Sequence, residues 1–182
     1  MKANITRTLV EEHQLILRMI ALLEKNAPRT AEGNYRNWQF YLDGIDFIRL
    51  YADHFHHAKE EDVLFKALVD NGMPKENSPV AAMLMEHDQG RKFVRAMESA
   101  VHEAQAGRTD IYHAIAENAI GYTALLRDHI SKEDDILYPL AERVIPENMR
   151  DRILLGYKDA ETLVPSEFGE HYEAIVTLYE NE

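Results

Sequence analysis

Apolar residues recur at three- and four-residue spacing along almost the whole chain and seldom alternate, so the pattern predicts helices and hardly any strand. A first helix runs from about Ile5 to Asn26 and ends before Pro28-Arg29-Thr30 and Gly33, which are turn residues. A long second helix covers about Tyr35 to Asn71, where Gly72-Met73-Pro74 stops it. A third spans about Val80 to Ala106 and ends at Gly107; a fourth starts near Asp110, a candidate N-cap, and continues to about Val144. Four long helices with short connections make an all-α, antiparallel up-down-up-down four-helix bundle the simplest arrangement. The remainder, 146–182, reads as two shorter helices interrupted near Pro165 and packed across the bundle, giving cover to Ile153, Leu154, Tyr157, Ile175 and Leu178. The expected organisation is one domain, a bundle over 1–145 with a helical extension over 146–182.

Placing each residue around its helix at about 100° per step shows which polar side chains share the apolar face. On the second helix Ile45, Ala52, Val63 and Ala67 surround His56, and Glu60 lies one small step away. His57 and Glu61 have the same four-residue spacing but fall towards or beyond the edge of the stripe, so they read, with His54, as surface or rim residues. On the fourth helix Ile111, Tyr122, Leu125, Ile136 and Leu140 cluster about His129, with Glu133 beside it. Leu9, Leu17 and Ile20 share the face of His13, and Val80, Met83 and Val94 flank His87. Each long helix thus directs one histidine inward, and two of them add a glutamate one turn on. The two pairs sit in an internal echo, HHAKEEDVLF at 56–65 and HISKEDDILY at 129–138.

One inward histidine is ordinary core furniture, but four together with two carboxylates are not. A carboxylate buried in hydrocarbon without a partner costs several kcal/mol or becomes protonated, and a bound cation removes that penalty. Four imidazoles and two carboxylates able to bridge suit a pair of borderline divalent ions such as iron; calcium would want oxygen ligands alone, and structural zinc is commonly single and tetrahedral. The metal ligands expected are therefore His13, His56, Glu60, His87, His129 and Glu133. The absence of cysteine excludes disulfides, thiolate zinc sites and iron–sulfur clusters. A formal net charge of −12 disfavours nucleic acid and anionic membrane as partners. With no secretory leader pattern and no long apolar run, the expected compartment is the cytoplasm. Oligomeric state has no signature in the sequence. Tyr122 is a second-layer candidate, whereas Tyr112 and Tyr138 read as packing residues, Tyr138 lying roughly opposite His129. Met83, Phe93 and Met97 read as core filler, and His102, His113 and His171 as solvated.

In this order the residues resemble the hemerythrin-like family, the HHE cation-binding domain: His13, His56-x-x-x-Glu60, His87 and His129-x-x-x-Glu133, covering about Leu9 to Leu140. The resemblance implies a four-helix bundle and a non-haem centre of two iron ions with an oxo or hydroxo bridge, Glu60 and Glu133 being the bridging carboxylates. Oxygen-carrying members have His-x-x-x-His on the third helix and a bridging Asp on the fourth, but here Arg91 follows His87 by four and the bridge is Glu133. A site one histidine short leaves room for a small-molecule ligand, so the expectation is a di-iron protein that binds or reacts with dioxygen, peroxide or nitric oxide, possible oxidoreductase chemistry included. The alternative is a binding module without turnover, sensing oxygen, nitric oxide or iron, or storing or donating iron. Pro139, after the second echo, is expected to kink the fourth helix near its end.

Overall fold

The computed structural model describes residues 2–182, and these are all-helical, with no strand among them. Helix α1 (Arg7–Ala31) runs straight through Pro28. It stops where Gly33 takes φ +74° and the Gly33 and Asn34 amides donate back to the Thr30 and Arg29 carbonyls. Gly33, not Pro28, supplies the stop, because proline's fixed φ is compatible with a helix whereas a left-handed residue ends one. Helix α2 (38–70) opens at Asn37, whose side chain accepts from the Phe40 amide, and α3 (Pro79–Gln105) opens at Ser78, which accepts from the Ala81 amide. Helix α4 (112–144) lacks the expected Asp110 cap; that carboxylate pairs with Arg108 instead. Two shorter helices follow, α5 (Glu147–Glu161) and α6 (Phe168–Glu180), separated around Pro165 as expected. Among the described residues no helix is long and apolar enough to cross a membrane.

Contacts fix how the four long helices lie. Glu12 meets His56 while Thr30 meets Tyr41 across α1 and α2, and Arg49 meets Glu98 while Glu61 meets His87 across α2 and α3. Glu86 meets His129 while Phe93 lies against Gly121 across α3 and α4, and His13 meets Asp134 while Glu24 meets Arg127 across α1 and α4. Numbers climb on one helix as they fall on the other, so in each pair the chain directions oppose. Helix α6 lies on α1 and α2, tied by Arg18 to Glu173 and Glu180, by Tyr172 to Asp46 and by Tyr179 to Asp43. Helix α5 packs on α2, with Gly156 close against Val63. Ile153 and Tyr157 are buried as expected and Leu154 and Ile175 pack on the core, but Leu178 is exposed and Val176 and Tyr179 take the inward positions.

Neither α2 nor α4 is a regular α-helix. Both widen into π-helix, over Ile48–His57 and Glu60–Leu64 in α2 and over Glu133–Leu137 in α4. A wider turn advances less than 100° per residue, so the inward face slips relative to a 3.6-residue repeat. Ile136, expected inside, is 59% exposed, while Leu137 and Tyr138 are buried. Val63, also expected beside His56, turns to meet α5, and Leu64 and Phe65 face the core. The helix continues past Pro139 to Val144, the irregularity taking the form of the π turn that precedes the proline. π turns cluster at functional positions in proteins generally, and here they hold His56, His57, Glu60 and Glu133.

The apolar core is divided in two. One cluster gathers Ile16, Leu23, Phe40, Phe47, Met97 and Ile115; the other gathers Leu9, Leu64, Phe65, Met83, Leu137 and Tyr138. Between them lies a layer of buried polar side chains at His13, His56, Glu60, His87, His129 and Glu133.

Candidate metal centre

All six side chains converge, each at most 3% exposed. They form two imidazole pairs: His13 Nε2 lies 3.0 Å from His56 Nε2, and His87 Nε2 lies 3.0 Å from His129 Nε2. Both glutamates straddle the pairs. Glu60 Oε2 is 3.8 Å from His56 Nε2 and 3.5 Å from His87 Nε2; Glu133 reaches His13 through Oε2 at 3.4 Å and His129 through Oε1 at 3.1 Å. Two sets of donor atoms emerge, each within 4.8 Å of one another: His13, His56 and Glu133, and His57, Glu60, His87 and His129.

The outer nitrogen of every converging imidazole is committed. His13 Nδ1 donates to Asp134 at 2.9 Å, His56 Nδ1 to Glu12 at 2.8 Å, His87 Nδ1 to Glu61 at 2.7 Å and His129 Nδ1 to Glu86 at 2.8 Å. A carboxylate behind an imidazole fixes its ring and tautomer and leaves a lone pair on Nε2. Lone pairs therefore meet in both pairs, beside Glu60 Oε2 and both Glu133 oxygens, none of which has a hydrogen-bond partner. Such a set of acceptors is tolerable around cations. The 3.0 Å separations also fit: two nitrogens each ~2.1 Å from one ion and at a right angle about it lie ~3.0 Å apart. The residues present suit two ions sharing two carboxylates.

The second layer repeats with the echo in the sequence. Lys59 and Lys132, at matching positions, pair with Glu12 and Glu86, the carboxylates behind His56 and His129. Helices α1 and α3 exchange roles in the same way, as do α2 and α4, so the site has an approximate twofold. Two departures break it. Tyr138 stands where its counterpart is Phe65; both rings stack near a histidine, but only Tyr138 has a hydroxyl, which donates to Glu60 Oε1 at 2.6 Å and lies 3.4 Å from His13 Nε2. On the other side His57 stacks on His87, ring centroids 3.7 Å apart, and donates Nδ1 to Asp53 at 3.3 Å.

Three expectations change accordingly. His57 is buried, not a rim residue, and joins the donor set beside His87 and His129, so the histidine missing from the third helix is matched by one from α2. Glu61 is half-buried and orients His87, with Arg91 closing the group through Asp53 and Glu61. Tyr138 points into the centre and is not opposite to it, because the π turn of α4 rotated the following residues inward. His54, His102, His113 and His171 are exposed as expected. Glu12, Glu86, Lys59 and Asp134 were not anticipated. The signal existed: acids stand immediately before His13 and His87 and immediately after Glu60 and Glu133.

In the metal-free protein protons must serve where cations would. Burial pulls the His13 imidazole down, but the surrounding Asp134 and Glu133 carboxylates outweigh it and raise His13 to about 9. Burial and the Glu133 charge push Glu60 well above the usual carboxylate range. Burial acts the same way on Glu133, but the His129 and His13 imidazoles facing its two oxygens outweigh it and hold Glu133 well below that range. Protons and metal thus compete for the same lone pairs. Acidification through the ordinary imidazole range, about pH 6.5, is expected to release the metal, seen by dialysis and elemental analysis across pH 4–8. Glu61 is not the trigger: the hydrogen bonds from His87 and Arg91 hold it at about 2. A depressed carboxylate contributes stability above its unfolded pKa that disappears only as pH falls through the folded one, so His87 stays oriented until well below pH 4. Metal retained quantitatively at pH 4 would contradict ligation by neutral imidazoles.

A helical protein with a buried histidine–carboxylate cluster of this kind is a metal-binding protein by architecture. The hemerythrin HHE cation binding domain model matches residues 4–141, and the chain belongs to that family. Comparison with curated proteins and with solved structures gave no match.

Proposed function

We propose that this chain is a non-haem di-iron protein, an antiparallel up-down-up-down bundle in which His13, His56, Glu60, His87, His129 and Glu133 hold two irons and react with small oxidants. The observation that carries the reading is the meeting of four imidazole Nε2 atoms and two carboxylates in one buried layer, where Glu60 Oε2 and both Glu133 oxygens have no hydrogen-bond partner. Iron, when bound, supplies the electrons for reducing peroxide, dioxygen or nitric oxide. The chain's own residues do the rest. Asp134, Glu12, Glu61 and Glu86 keep the Nε2 atoms turned inward, and the two apolar clusters exclude bulk water from either end. Access is one-sided: a cavity reaches His57, His87 and His129 and is not lined by His13, His56 or Tyr138. Tyr138 and Glu60 provide a phenol and a carboxyl, hydrogen-bonded at 2.6 Å, able to hold a proton beside the centre. A formal net charge of −12 supports a small-molecule partner over nucleic acid.

Elemental analysis of the purified protein should find about two irons per chain, the number of donor sets. Mixing the ferrous protein with hydrogen peroxide in a stopped-flow instrument should give a fast absorbance change and consume peroxide over repeated turnovers. Absence of both, in a protein that holds its iron, would rule out oxidant handling. A second reading, a sensor that binds without turnover, is favoured by His57, since a fifth imidazole leaves the accessible position less open. It predicts a reversible adduct with dioxygen or nitric oxide and no consumption of peroxide.

A further inference from the structure

The cavity beside His87 is far larger than any of these oxidants requires. It measures about 470 Å³, whereas a water molecule occupies about 30 Å³ and sites for organic ligands run to roughly 300–1,000 Å³. Its walls are mainly apolar, from Ile48, Val94, Leu125 and Leu126, and its inner end is the imidazole face of His57, His87 and His129. Gly90 opens the space beside Tyr122: a Cβ there would stand 3.5 Å from the Tyr122 ring, and any longer side chain would enter the cavity.

Among the polar groups that line this cavity, Tyr122 and Arg95 lack partners. Tyr122 is 3% exposed, and its hydroxyl has no hydrogen bond. Arg95 faces the cavity from its outer side without an ion pair or hydrogen bond to any described residue. By contrast Arg49 is engaged by Glu98, and Arg91 by Asp53, Glu61 and Asp88. Three arginines and two carboxylates, Asp53 and Glu86, line this cavity, and of the arginines Arg95 alone is uncommitted. His87 and Arg95 both line the cavity from α3, eight residues or ~12 Å apart along the axis, about the span of an extended eight-carbon chain together with its terminal oxygens.

We propose that this cavity binds a medium-chain monocarboxylate bearing an oxygen function at its far end, the carboxylate on Arg95, the apolar chain along Ile48, Val94, Leu125 and Leu126, and the far oxygen on Tyr122 beside His87. The proposal rests on the di-iron reading for its consequence, which is that the oxidant would be an organic hydroperoxide of this shape, its O–O bond cleaved to an alcohol and water with two protons and the two electrons that ferrous iron would supply. It does not rest on that reading for the binding itself. Dioxygen, hydrogen peroxide and nitric oxide would leave the apolar walls wet and the buried Tyr122 hydroxyl unmet; a carboxylate with a distal oxygen covers the walls, meets that hydroxyl and pairs the exposed Arg95 guanidinium.

The probe is 8-hydroxyoctanoate, an unreactive stand-in for the hydroperoxide, titrated calorimetrically into the purified protein, with octanoate as its control. One molecule per chain is expected, 8-hydroxyoctanoate binding more tightly than octanoate. Arg95→Gln, an exposed and unpaired position, should weaken both about tenfold or more. Tyr122→Phe should weaken 8-hydroxyoctanoate by about tenfold and leave octanoate unchanged. Gly90→Leu should abolish binding of both, and circular dichroism melts establish that each variant folds. No heat at millimolar probe with the folded parent, or parental affinity in both Arg95→Gln and Tyr122→Phe, overturns the proposal. The two readings fail separately. Iron with peroxide turnover but no probe binding removes the pocket alone, whereas probe binding to a protein that takes up no iron removes the di-iron centre alone.

Discussion

Replacing Glu60 alone, Glu60→Gln, is expected to shift stability in opposite directions depending on metal. In the metal-free protein at pH 7 the variant should melt higher than the parent, because the buried Glu60 carboxyl is held well above the usual carboxylate range and must take up a proton on folding, whereas an amide needs none and can donate to an imidazole nitrogen from the position of the unpartnered Oε2. Satisfying a buried unpaired group of this sort is commonly worth about 1–3 kcal/mol. At about 2–4 °C per kcal/mol for a chain of this length, that is a rise of several degrees. With iron present the order should reverse, since the variant lacks a carboxylate that the proposed centre uses. Differential scanning calorimetry with and without ferrous iron measures both halves. If the variant binds iron as the parent does, Glu60 is not a ligand; if its metal-free form melts far lower, the carboxyl was stabilised by something other than an ion.

Removing metal from the parent with a chelator at pH 7 is the companion experiment. Binding to the folded state alone stabilises by RT ln(1 + [L]/Kd), about 4 kcal/mol at a thousandfold excess over Kd. A fall in melting temperature of roughly 8–16 °C is therefore expected, restored by adding iron back. The loss should concentrate in the layer between the two apolar clusters. Hydrogen exchange at amides of 52–61 and 126–134 should accelerate while those of 16–27 and 97–104 change little. An unchanged melting temperature after verified removal of iron would mean that this layer is self-sufficient, and the electrostatic account of the site would fail.

How far the sequence reveals this site depends on the regularity of each helix. His13 and His87 sit on uninterrupted α-helices, where a 3.6-residue period carries their orientation faithfully from the flanking apolar residues. His56, Glu60, His129 and Glu133 were also legible, because the apolar residues preceding each histidine fix its phase. Beyond the π turns the phase is lost. Ile136 was expected inside and Tyr138 outside, and the structure exchanges them; His57, one residue from His56, turned inward beside it for the same reason. Backbone bonding to the fifth residue leaves no clear compositional mark, so no reading of hydropathy alone would place these side chains. The four carboxylates behind the imidazoles were hidden differently. Glu61 and Asp134 sit in the echo and Glu12 and Glu86 stand immediately before His13 and His87, but the role of the latter two appears only when neighbouring helices bring Glu12 to His56 and Glu86 to His129, some forty residues away in each case.

The near-repeat of two helical hairpins within one chain has a consequence for the metals themselves. Were the halves identical, two ions placed between them would experience one environment, with nothing to decide which binds first or which meets a visitor. A phenol on one side and an additional imidazole with an open cavity on the other remove that equivalence. The polypeptide is thus polarised before any substrate arrives: the phenol side is walled in by protein, while the side with the additional imidazole stands at the door.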